Sequence, residues 1–89
     1  MTTDERLIIR LSNQEQQSLV DLYDRYSKLL WKISYRAVAD DAICEQILRQ
    51  VFQDVWARPH DFNIGKKLST LLVECCQSKI RLLTMQKSS

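Results

Sequence analysis

Apolar residues return at three- and four-residue steps along most of this chain, the period of helices that bury one face. The longest such run is Leu19, Leu22, Tyr23, Tyr26, Leu30, Ile33 and Ala37, which predicts a continuous helix to about Val38. Asp40 and Asp41 then supply a turn and a new N-cap. From Ala42, the stripe Cys44, Ile47, Leu48, Val51, Phe52, Val55 and Trp56 is the cleanest amphipathic pattern, and it stops before Pro59, which disfavours helix at Arg58. Leu68, Leu71, Leu72, Cys75, Cys76, Ile80 and Leu83 predict a last helix over Leu68–Leu83, followed by a polar tail, Thr84–Ser89, expected to fray. At the front, Leu7, Ile8 and Leu11 form the stripe of a short helix over Asp4–Leu11 capped by Thr3. Reading Leu7–Ile9 as a strand leaves it without a partner strand, so helix is favoured. Ser12-Asn13-Gln14-Glu15 fits a capping box that opens the long helix. The segment Pro59–Lys67 holds the only Pro, Gly and His and is expected to be the one real loop.

Composition narrows the fold class. A chain of 89 residues with 45% hydrophobic and 27% charged residues is globular and has room for a single domain over 1–89. One Gly and one Pro are too few for the frequent turns of hairpins, sandwiches or barrels. The expected fold is all-α: a compact three- to four-helix domain built on a long antiparallel hairpin, Asn13–Val38 against Ala42–Ala57, closed by the last helix. No internal repeat or linker interrupts it. The sequence holds neither an apolar run long enough to span a membrane nor a signal-peptide pattern, so a cytoplasmic protein with no membrane partner is expected. Three cysteines, two of them adjacent, are expected to be reduced and structural.

Charge is uneven. Residues 1–56 carry 7 Lys/Arg against 9 Asp/Glu, whereas residues 57–89 carry 6 against 2, so the basic excess lies in the last third. Such an end can face phosphates, or it can simply keep the chain in solution. Catalysis is not expected, because one His and three Cys on helix faces supply no oriented set of acid, base and nucleophile. A zinc site from Cys44, Cys75, Cys76 and His60 is disfavoured, since no C-x-x-C pair exists and the apolar periodicity already accounts for the cysteines. Neither a metal nor a cofactor is therefore expected. Helix-turn-helix readout fails as well, because the helix after the short Ala39–Asp41 turn is acidic at its start and carries only one basic residue, Arg49.

Several segments, taken in order, point to a family. Leu22-Tyr23-Asp24-Arg25-Tyr26, then Cys44-Glu45-Gln46-Ile47-Leu48-Arg49-Gln50-Val51-Phe52, Val55-Trp56, the Pro59–Lys67 loop and Leu71-Leu72 resemble region 2 of extracytoplasmic-function sigma factors. The family text is close to L-Y-D-R-Y, A-E-D-[ILV]-[VT]-Q-E-[VT]-F-x-x-[VA]-W, then F and G, W-L and N-[RK], and the resemblance covers about residues 4–83. It implies a transcription-initiation module that grips the β′ clamp helices of RNA polymerase core through the second long helix, at Glu45, Gln46, Arg49, Gln50 and Asp54. It also implies a contact to the non-template strand of the −10 promoter element through the loop and last helix, at Asn63, Lys66, Lys67, Lys79 and Arg81. A separate chain supplying the −35-reading domain, or an anti-sigma factor, would be a further partner. The chain departs from the family pattern at Leu71 and Ser78, where Trp and Asn are usual, and at Glu74, where a basic residue is common. Those departures define the alternative, a sigma-like interaction module or regulator that has lost promoter opening.

Overall fold

The computed structural model describes residues 3–62 and 65–87. The fold is all-α, with α1 at Thr3–Ser12, α2 at Gln16–Val38, α3 at Asp41–Ala57 and α4 at Leu68–Lys87. No strand occurs among the described residues. The long helix α2 is central: α3 runs back along it as an antiparallel hairpin, α4 packs against both, and α1 closes one end.

A single geometric row explains the position of α2. Ser18, Leu22, Tyr26, Leu30 and Ser34 are its buried residues, each four after the last. Rows at this step follow one surface of a helix while drifting slowly around its axis, so successive parts of the row can face different neighbours. The predicted face is shifted accordingly. Tyr23 is 47% exposed and Ala37 is exposed, while Leu19 and Ile33 only flank the core. Two serines that hydropathy assigns to solvent are fully buried instead. Ser34 Oγ lies 3.2 Å from Cys76 Sγ on α4, and Ser18 Oγ donates to the Glu15 carbonyl, so neither hydroxyl is orphaned.

The start of α2 corrects the expected capping box. Ser12 is the last residue of α1, and Glu15 is the N-cap of α2, without a side-chain capping bond. Gln14 adopts φ 61°, its N–H bonds to the Leu11 carbonyl at 2.9 Å, and the Glu15 N–H bonds to the Arg10 carbonyl at 3.1 Å. This is a Schellman closure of α1, so residues expected to open one helix are used to end another. The contact that normally accompanies it is apolar; here Arg10 Nε meets the Glu15 carboxylate at 3.2 Å. Thr3 is the first residue of α1 rather than its cap.

The α2–α3 turn follows expectation. Ala39 takes the left-handed position (φ 49°) with its N–H on the Tyr35 carbonyl at 2.8 Å, and the Asp40 carboxylate caps α3 by accepting from the Ile43 N–H at 3.1 Å. All of the α3 stripe from Cys44 to Val55 is buried, whereas Trp56 is only half-buried. The Pro59–Lys67 segment is not wholly loop. A 3-10 turn over Pro59–Phe62 buries both end residues against α1 and α3. The described part of the polar tail is helical as well, because α4 continues through Lys87, four residues beyond Leu83, while residues 88 and 89 lie outside the described residues.

Candidate docking surfaces

The five residues expected to meet polymerase do not share one outward face. Along α3, Glu45 and Arg49 form one edge, pair with each other at 3.7 Å, and lie on the α2 side. Gln46 is exposed on the crest, and Gln50 is half-buried. Asp54, assigned by the resemblance to the same polymerase contact, instead turns toward α4: its Oδ2 lies 2.6 Å from Lys79 Nζ and 3.6 Å from Arg58. Both members of the Asp54–Lys79 pair are mostly buried, at 24% and 21% side-chain exposure, so the pair joins α3 to α4.

The DNA-contact set is divided in the same way. Lys79 is held by Asp54, and Lys66 is paired with Glu74 at 3.1 Å, which leaves Lys67 and Arg81 exposed without an ion pair among the described residues. Asn63 lies outside the described residues. Gly65, beside Lys66, has φ 85°, a conformation that costs glycine little and other residues more. Asp54, from outside the last third, thus neutralises part of its basic excess, while Glu74 within it occupies Lys66.

The cysteines sit where apolar periodicity put them. Cys44 and Cys76 are buried, Cys75 is half-buried, and all three are free thiols. Burial raises the thiol pKa of Cys44 and Cys76, and burial together with the nearby Asp54 carboxylate pushes Cys75 up to about 11. Among the described residues no three His, Cys, Asp or Glu side chains gather as a metal site would need. No helix among them is long and apolar enough to cross a membrane.

Two grooves line the α2–α3 hairpin, and sequence periodicity alone did not reveal them. Near the open end of the hairpin, a groove of about 630 Å³ has an apolar floor of Leu19, Val20, Phe52 and Trp56, with Glu45 and Arg49 on its rim. Toward the turn, a second groove of about 650 Å³ is lined by Trp31, Tyr35 and Leu48 and rimmed by Lys28, Lys32 and Arg36. Tyr23 borders both, its ring 5.0 Å from that of Phe52. A signal for these grooves was present in the sequence: Tyr23, Trp31 and Tyr35 fall on one row beside the buried row, too many large side chains for one helix to bury. Comparison with known proteins returns no match to this chain, whether to a family model, a curated protein or a solved structure.

Proposed function

We propose that this chain is a sigma region 2-like docking module that binds RNA polymerase core through the α2–α3 hairpin and performs no catalysis. The observation that carries the reading is the apolar groove at the open end of the hairpin, whose rim holds Glu45 and Arg49, two of the residues that the resemblance assigns to the polymerase contact. A half-buried Trp56 and an exposed Val20 beside a buried Phe52 make an anchor pocket of the kind that centres protein interfaces. The charged rim fixes orientation and contributes little energy while it is solvated.

Contact with the −10 strand is the weaker half of the proposal. Lys67 and Arg81 remain available for it, but Lys66 and Lys79 would first have to leave their carboxylate partners. The ion pairs therefore favour the alternative, an interaction module that engages the transcription machinery without opening promoter DNA. A pull-down with core polymerase, with and without a single-stranded −10 fragment, separates the two. Retention on core that is independent of DNA supports docking, and loss of retention in Val20→Asp/Arg49→Glu with unchanged helicity locates it. Failure of the folded wild-type protein to retain core removes the docking reading.

A further inference from the structure

Lys28, Lys32 and Arg36 follow one another at four-residue steps on α2, a rise of about 6 Å per step. All three are exposed, and none has an ion-pair partner among the described residues. The neighbouring row carries Trp31, half-buried, and Tyr35, 46% exposed, and both rows line the same groove near the hairpin turn. Asp41 is the only acidic residue in that lining. Aromatic faces set beside a track of free cations are what a single nucleic-acid strand uses, because bases of any identity stack on the rings while phosphates meet the charges.

We propose that this groove is a binding site for single-stranded nucleic acid, taken without base specificity, on a surface distinct from the loop and last helix. Its chemistry separates it from the other groove of the hairpin. There, one acid and one base, Glu45 and Arg49, cancel over an apolar floor, as suits a protein anchor; here, Lys28, Lys32 and Arg36 face a single acid, Asp41, and the rim has a positive excess. Bases stack on Trp31 and Tyr35, the three cations follow the backbone, and Tyr23 closes the end of the groove next to the apolar pocket. The inference does not depend on polymerase being the partner.

The test uses the full chain, with fluorescein-labelled dT12 and rU12 read by anisotropy across a salt series. Three phosphate contacts predict a log–log slope of about −2 for wild type. In Lys28→Gln/Lys32→Gln/Arg36→Gln the slope falls to near zero, whereas Tyr35→Ala lowers affinity about tenfold at every salt concentration and keeps the slope. In Trp56→Phe, which leaves Trp31 as the sole tryptophan, strand addition quenches the emission. Lys66→Gln/Lys67→Gln tests the competing surface, the loop that the resemblance assigns to a strand. The proposal is overturned if the folded wild type binds neither strand at low salt, or if the Lys66/Lys67 variant rather than the α2 variant loses binding. It is also overturned if a poly-glutamate peptide of equal charge competes as well as the strand, since that outcome makes the face an acidic-protein dock. Equal affinity for dT12 and rU12 supports stacking and backbone recognition, and dependence on a 2′-hydroxyl contradicts it.

Discussion

Asp54 carries more structure than its place on an exposed helix edge suggests. It accepts from Lys79, sits near Arg58, and lies 3.7 Å from the Cys75 thiol. Removing it leaves a half-buried ammonium without its partner, a loss larger than that of a surface pair. Asp54→Ala is therefore expected to destabilise the fold by about 1–2 kcal/mol, several degrees in Tm for a domain of this size. A Tm within experimental error of wild type contradicts that role, and for the same reason charge reversal at Asp54 is not a clean probe of partner binding. Cys75 offers a second test. Its pKa near 11 keeps the thiol protonated, so iodoacetamide at pH 8 should label it far more slowly than a model thiol. The sign for stability follows from the same shift. The unfolded chain releases this proton near 9 and the folded one near 11, so the contribution is intact below about pH 9 and is lost as pH rises from there through about 11. Rapid labelling of the native protein at pH 8 contradicts the burial.

Helix ends account for most of what sequence reading missed among the elements. The hairpin turn was legible because Asp40 is a strong capping residue, and the buried α3 stripe was legible because its period is clean. The α1–α2 junction was not. Its left-handed residue is Gln14, not glycine, and Ser12 and Glu15, which spell a capping box, are taken by the closure of α1. The 3-10 turn was hidden because the burial of Pro59 and Phe62 depends on packing against α1, distant in sequence, as well as on α3. The left-handed position at Ala39 gives a direct check. Alanine at Ala39 (φ 49°) pays a steric penalty that glycine does not, so Ala39→Gly should stabilise the protein by about 0.5–1 kcal/mol in urea unfolding. The same substitution inside α2 costs about 1 kcal/mol, so a destabilised Ala39→Gly would show that the residue behaves as ordinary helix.

For the whole molecule, helical class and hairpin were legible in periodicity, whereas the electrostatics of the candidate sites were not. Lys79 and Asp54 become partners only once α4 is laid against α3, and Lys66 reaches Glu74 only through the path the chain takes into α4. The result is a molecule with an apolar groove at the open end of its hairpin, a basic aromatic groove near the turn, and a last helix whose Lys79 is held by Asp54. Docking to polymerase core through the hairpin is the central claim. Hydrogen–deuterium exchange of the full chain with and without core polymerase tests it most directly, because added protection maps the contact by residue. The account predicts new protection over the edge of α3 from Glu45 to Trp56 and over Leu19–Tyr23 of α2, with α4 little changed. Protection confined to α4, or no protection at saturating polymerase, contradicts it.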